Sequence, residues 1–220
     1  MRREPPVSAG SERSGIEETH SLAYRKYRAE IWKGKPADKY KRLLPFIDGD
    51  RIVEVGAAEG VLALMLAARE NTLVAAVERH QQRHFEACRL KERWRELGKK
   101  VAGCRMVLGD IKQHLNLLDD ATTLVAIRSI YYLREQIGWF FNEVSHRGVQ
   151  HVVLCGNPGR AARYFAANGK PSDNLGRFNF YASIEGMSEV LTNSGYKITR
   201  VIKQGDPIVV GVRNDLGQDP

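Results

Sequence analysis

Long apolar runs are missing from this chain of 220 residues. None approaches the roughly 20 consecutive apolar residues that a membrane-spanning helix needs. The stretch from Met1 to Gly15 lacks the apolar segment of a secretory signal. It predicts a disordered tail over residues 1–15 and a cytoplasmic protein. Cysteine is scarce as well. Cys88, Cys104 and Cys155 are odd in number and none stands in C-x-x-C spacing. A disulfide framework and a zinc site are therefore not expected, and the thiols are taken as reduced. No internal repeat is present.

What is there suffices for one globular unit. Hydrophobic residues make up 43% of the chain, enough for a full core, and the length fits one domain. The net charge is +8, unevenly spread. Residues 21–42 carry eight Lys/Arg against Glu30 and Asp38, for +6. Residues 79–100 carry eight against Glu86, Glu92 and Glu96, for +5. In the second cluster the charges alternate with Phe85, Cys88, Trp94 and Leu97 at helical spacing, as on a solvated helix face. The first cluster is open between such a face and a dock for an anionic partner, whether nucleic acid, a phosphorylated metabolite or a membrane surface.

Periodicity and breakers predict alternating strands and helices. Helices are expected over 16–32 and about 38–44. Strands at 51–55, 73–77, 104–108, 123–127 and 151–155 are each followed by helical or weakly helical sequence. These segments begin near residues 61, 80, 111, 134 and 159. Residues 168–182 read as a long irregular loop, usually a functional or mobile feature. Ser183 can cap a helix that ends at Gly195. Two final strands, 197–203 and 208–213, are joined by Gln204-Gly-Asp-Pro207. That connection is too short for a crossover, so they must pair antiparallel.

The most informative stretch runs from Arg51 to Gly60. A short apolar strand enters a turn of small residues (Gly56, Ala57, Ala58, Gly60), and the turn enters the apolar helix that starts at Val61. This order builds a site for an adenosyl ligand, with glycine allowing close backbone approach. A dinucleotide site needs G-x-G-x-x-G, and Val61 stands where its third glycine would be. The acid Glu54 lies two residues before Gly56. The pattern resembles motif I of the class I S-adenosylmethionine-dependent methyltransferases, with Ala58 in place of the usual middle glycine. Five β–α units closed by an antiparallel hairpin also resemble that family. The likeness spans roughly residues 38–213. It implies a Rossmann-like, seven-stranded mixed sheet with helices on both faces. The cofactor would be S-adenosylmethionine and the product S-adenosylhomocysteine. The expected division is a tail (1–15), N-terminal helices covering the cleft (16–47) and a methyltransferase domain (48–214).

The resemblance also assigns residues. Glu54 would orient the methionine ammonium. Gly56, Ala57, Ala58 and Gly60 form the turn. Glu78, ending the second strand, can accept from both ribose hydroxyls, and Arg79 follows it. Asp110 would receive the adenine amino group, and Ile111 would touch the ring. Asp110 can equally be a turn or cap residue. Arg128, after the fourth strand, is counted with the cofactor contacts and faces the acceptor side. Ser129, Tyr131 and Tyr132 are acceptor-side candidates, unless the tyrosines pack the core. Phe178 and Tyr181, on the long loop, are candidates for a lid.

Within that resemblance, absences narrow the chemistry. No Asp/Asn-Pro-Pro-aromatic motif follows the fourth strand, so the amine grip of DNA-base and glutamine methylation is missing. Arg128 and Gly156-Asn157 stand where metal-dependent O-methyltransferases carry aspartates, so no catalytic metal is expected. Cys155 lacks the flanking motif of cytosine-C5 enzymes and reads as a structural thiol. A sulfonium donor needs little acid–base help, so no general base can be named. His20, His80, His114, His146 and Tyr131 stay open. The expected acceptor is a small molecule or a sugar-like hydroxyl or amine. An RNA methyltransferase, using the basic cluster as a phosphate track, is the alternative. So is a cofactor-binding module without catalysis. An NAD-binding protein is disfavoured by the glycine spacing. The oligomeric state is unknown.

Overall fold

A computed structural model provides the structure, in which residues 22–157 and 180–214 are described. The expected tail, residues 16–21 of the first helix, the helix from 159 and most of the 168–182 loop, including Phe178, lie outside those residues.

Seven strands form one sheet: β1 (Arg51–Val55), β2 (Leu73–Glu78), β3 (Cys104–Leu108), β4 (Thr123–Ile127), β5 (His151–Cys155), β6 (Tyr196–Ile202) and β7 (Ile208–Arg213). Their order is β3-β2-β1-β4-β5-β7-β6. The first five run parallel. β7 inserts antiparallel between β5 and β6, as the short Gln204–Pro207 connection requires. The sheet edge changes direction between β1 and β4, and that switch point opens a crevice at the strand carboxyl ends.

Alternation along the strands divides the core in two. Val53, Leu124, Val152 and Leu154 face α5 (Ile137–His146) and α6 (Ile184–Asn193). Ile52, Val125 and Val153 face the opposite layer. That layer holds α1 (Leu22–Trp32), α3 (Val61–Ala67) and α4 (Gln81–Glu96). Every residue of α3 is buried. This explains its apolar sequence and why it stops short of Arg69. The Ser183 hydroxyl accepts from the Gly186 N–H at 3.2 Å and starts α6 as expected.

Three segments differ from the sequence expectation. The second helix is a single turn, α2 (Asp38–Lys41), followed by a 3-10 turn at Leu44–Phe46 that accommodates Pro45. Residues 130–136 form a 3-10 helix ahead of α5. The segment 111–117, expected to be weakly helical, is two separate 3-10 turns.

α1 is pinned to α4 from beneath. Trp94 is 2% exposed, and its indole N–H donates to the Ile31 carbonyl at 2.7 Å. Trp94→Phe removes this donor and leaves a small void. It should lower unfolding free energy by about 1–2 kcal/mol, measured by denaturant titration. An unchanged midpoint would show that α1 is held by other contacts.

Candidate active site at the strand carboxyl ends

A cleft of about 640 Å³ opens over the carboxyl ends of the parallel strands. Its floor is the β1–α3 turn. Gly56, Ala58 and Gly60 take left-handed backbone there, with φ of 72°, 51° and 70°. The Gly56 and Ala57 N–H groups donate to the Val77 carbonyl at 2.9 and 3.0 Å, tying the turn to β2. A Cβ on Gly56 would stand 2.5 Å from the Ser129 Cβ. The sequence reading gave this glycine to ligand approach. The structure adds an intramolecular reason: the end of β4 crowds the same position, and the positive φ is a further one.

Glu54 is the most constrained group in the cleft. It is 3% exposed on a buried strand yet lines the cavity. Burial pushes its carboxyl up to about 8. A hydrogen bond from the Ala63 N–H opposes the rise, the Glu78 charge adds to it, and the Lys39 charge opposes it. Its Oε2 is buried with no hydrogen-bond partner among the described residues. Such an atom is costly unless something cationic or donating meets it.

Glu78 is 4% exposed and already employed. One oxygen accepts the Ala58 N–H and the other the His80 N–H, each at 2.8 Å. Each carboxylate oxygen retains a second lone pair. Asp110 caps the 3-10 turn at Ile111–Gln113, accepting the Lys112 N–H at 3.0 Å, and it lines the cleft beside Ile111. The cap reading and the cleft reading are therefore compatible. Arg79 lies over the Tyr132 ring, 4.9 Å from its centroid, and both line the cleft.

The acceptor-side candidates separate. Tyr131 is 0% exposed within the core and does not line the cleft. The 3-10 helix turns successive side chains by about 120°, which sends Tyr131 inward and Tyr132 to the cavity. Ser129 lines the cleft, but its hydroxyl donates to the Val55 carbonyl at 2.6 Å and latches β4 to β1. Tyr181 is half-buried against the core near Ile184 and is not on the described cleft lining. Among the described histidines, His80 lines the cleft. Burial pushes the Cys155 thiol up to about 11, so it is protonated and not nucleophilic at neutral pH.

Sequence reasoning gave no site role to Tyr24, Tyr40, Arg42 or Asp206, all of which line the cleft. Tyr24 and Tyr40 come from the N-terminal segment, as does Lys39 of the basic stripe expected to cover the cleft. Lys39 spans the rings of Tyr27 and Tyr40, with its ammonium 4.1 and 4.7 Å from the two centroids. Asp206 comes from the turn before β7. Its carboxylate accepts from Arg128 and, at 2.9 Å, from Asn157. Arg42, which also lines the cleft, donates to the Gln204 and Asp206 carbonyls at 2.6 and 2.7 Å. The signal was available. An antiparallel β7 beside β5 must start at the ligand edge, so its preceding turn must lie there.

Among the described residues, no group of three or more His, Cys, Asp and Glu is arranged to hold a metal ion. Among the same residues, no helix is long and apolar enough to cross a membrane.

No protein-family model and no curated relative matches the sequence. Solved structures match in fold. Magnesium protoporphyrin IX methyltransferase from Synechocystis PCC 6803, with bound SAH, is 14% identical at TM-score 0.56, over 89% of this chain and 89% of that chain. A SAM-dependent methyltransferase from Aquifex aeolicus is 14% identical at TM-score 0.56, over 87% and 96%. The N-terminal domain of EvdMO1, with SAH bound, is 15% identical at TM-score 0.55, over 82% and 82%. The chain has the fold of the class I S-adenosylmethionine-dependent methyltransferases.

The buried acid gives a pH signature. The folded protein keeps Glu54 protonated up to about 8, whereas the unfolded chain ionises it near 4.5. Its contribution is full below the unfolded value and is lost as pH rises toward the folded one. Glu54→Gln is neutral throughout and lacks this loss. Between pH 5 and 8 the wild type should lose on the order of 3 kcal/mol more than the variant, at about 1.4 kcal/mol per pH unit. Parallel pH profiles in denaturant titrations of ligand-free protein would refute the buried-acid assignment.

Proposed function

We propose that this protein is a metal-independent S-adenosylmethionine-dependent methyltransferase acting on a small-molecule acceptor. Residues 48–214 form its catalytic domain, and residues 16–47 wall the cleft. The observation that carries the reading is Glu54. Its buried Oε2, unpartnered within the described protein, lies in a cleft floored by the small-residue turn. An amino-acid ammonium supplies the missing partner and returns the carboxyl to its ionised form.

The remaining residues fit the rest of that molecule. The free lone pairs of Glu78 would take the ribose hydroxyls, as the strand-end acid does in dinucleotide sites. Asp110 would take the adenine amino group, and Ile111 would cover a ring face. Bound there, the sulfonium supplies an already activated methyl group. The protein's task is then to hold the acceptor in line and exclude water. Tyr24, Lys39, Tyr40 and Arg42 form the wall that does so.

The small-molecule reading gains support from the way the basic cluster is used. Arg28 pairs with Glu86, Lys33 and Lys35 with Glu30, and Lys41 with Asp38. Lys39 covers two aromatic rings, and Arg42 grips the turn before β7. Few of these cations remain for a phosphate track. The cleft volume is in the range of small-molecule sites, and a porphyrin methyltransferase is among the similar structures.

Calorimetry tests the reading directly. S-adenosylhomocysteine should bind with a dissociation constant of about 1 µM or tighter, near −8 kcal/mol, and NAD should not bind. Binding at neutral pH should release a proton from Glu54. The observed heat should therefore vary with the ionisation enthalpy of the buffer, and Glu54→Gln should abolish that variation. Glu78→Ala should weaken binding by roughly 1.5–3 kcal/mol. NAD binding without binding of the adenosyl-sulfur compound would refute the proposal.

Metal independence has its own check. Arg128, a fixed cation, lies at the end of β4. Dialysis against EDTA should leave methyl transfer unchanged. A large loss restored by magnesium would refute this part of the proposal.

A further inference from the structure

The cofactor reading uses the carboxyl ends of β1, β2 and β3. The other half of the same edge is built by β4, β5 and the turn before β7. It is left for the second substrate. Arg128, Asn157 and Asp206 converge there. The Asp206 carboxylate lines the cleft, accepting from the Arg128 guanidinium at one oxygen and from the Asn157 amide at the other. Its backbone carbonyl is held by Arg42 at 2.7 Å, and the neighbouring Pro207 carbonyl accepts the Gly156 N–H at 2.9 Å. Three separate segments thus hold this turn and its carboxylate at the cavity wall.

We propose that Asp206 is a catalytic residue: its carboxylate receives the hydrogen bond, and then the proton, of a hydroxyl or amine on the methyl acceptor, while Arg128 and Asn157 hold it in place. The inference rests on the methyltransferase reading above and names the acceptor chemistry of that site. An ionised carboxylate can only accept, so an acceptor atom set against it must carry hydrogen. Of its roughly four lone-pair sites, Arg128 and Asn157 occupy one each. The rest of the Arg128 fork can meet an oxygen elsewhere on the same acceptor.

A second observation points to the same place. Arg128 holds φ at 54°, a left-handed conformation that costs a non-glycine residue energy. Its N–H donates to the Cys155 carbonyl at 2.7 Å, which locks that backbone. A side chain is thus retained where glycine would sit without strain. Its described side-chain hydrogen bond is the one that orients Asp206.

The step balances without another reagent. An acceptor lone pair forms the bond to the methyl carbon. The carbon–sulfur bond breaks, and its electron pair stays on sulfur as the thioether. The acceptor proton passes to a carboxylate oxygen of Asp206 and from there to water. Cys155, at the same end of the cleft, cannot take this role, because its thiol stays protonated at neutral pH.

The test uses Asp206→Asn, which keeps the shape and loses the proton-accepting oxygen. Wild type and variant are given methyl-labelled S-adenosylmethionine and a protein-free small-molecule extract. Mass spectrometry then assigns the methylated atom. Label is expected on oxygen or nitrogen, reduced by about a hundredfold or more in the variant, with partial recovery in Asp206→Glu. S-adenosylhomocysteine affinity by calorimetry should stay within about twofold. The variant's rate should climb with pH as the acceptor ionises unaided, a slope that a merely structural residue would not create. The unfolding midpoint of Arg128→Gly should be unchanged or higher, because strain is relieved; a structural ion pair would lower it. Wild-type turnover in Asp206→Asn, or a methyl on carbon or sulfur, would overturn the proposal. So would a protein that binds S-adenosylhomocysteine and labels nothing. Failure to bind S-adenosylhomocysteine at all would instead remove the cofactor reading on which it rests.

Discussion

Strand register is the constraint on which the cleft depends. Val55 of β1 lies level with Val77 of β2 and Ala126 of β4. Ile127 lies level with Cys155 of β5, which lies level with Ile208 of β7. The residues just beyond these rows therefore emerge along one edge. They include Gly56, Glu78, Arg128 and Asp206. A slip of one residue in any pair would reverse its inward and outward faces and withdraw that strand's contribution. The two-sided core enforces the register, because each buried strand must satisfy both layers at once.

The same edge holds several strained or desolvated groups. Glu54 is buried with an unpartnered oxygen, and Ala58 and Arg128 are held in left-handed backbone. None of these stabilises the fold by itself. They persist because the surrounding hydrogen bonds over-determine them. Glu78 fixes the Ala58 N–H, the Cys155 carbonyl fixes Arg128, and α3 lends Glu54 the Ala63 N–H. Strain and desolvation gathered at one cavity are what a site under functional demand would carry.

Sequence pattern was strong where physics is local. Alternation and apolar runs located the seven strands within a residue or so. The acid-to-glycine spacing placed Glu54, Gly56 and Glu78 on the cleft. It failed where tertiary packing decides. Tyr131 and Tyr132 are adjacent and chemically identical in sequence, yet the 3-10 turn buries one and presents the other. The packing role of Gly56 stayed hidden because a one-dimensional reading cannot see Ser129 of β4 beneath it. Asp206 escaped notice because a Gly-Asp-Pro connection looks like ordinary turn chemistry. Its importance comes from where antiparallel insertion delivers that turn.

The basic N-terminal segment shows why a charge count needs its contacts beside it. Its net charge suggested an anionic partner, and in the structure several of its cations join protein to protein. Arg28 bridges α1 to α4, and Arg42 grips the turn before β7. Tyr24 donates to Glu59 at 3.1 Å, fastening the same segment to the β1–α3 turn. From the other side, Arg69 donates to the Ile47 and Leu44 carbonyls at 2.8 and 2.7 Å. Guanidinium forks suit this work because they bind two carbonyls at once and remain charged. The segment is therefore a built wall of the cavity rather than a loosely attached charged surface. The strands and the β1–α3 turn follow the common pattern of this fold. On the proposed function, selectivity for the acceptor would come from the parts that depart from it: this wall and the Asp206 turn. They meet at Arg42, so a change in either would be felt by the other.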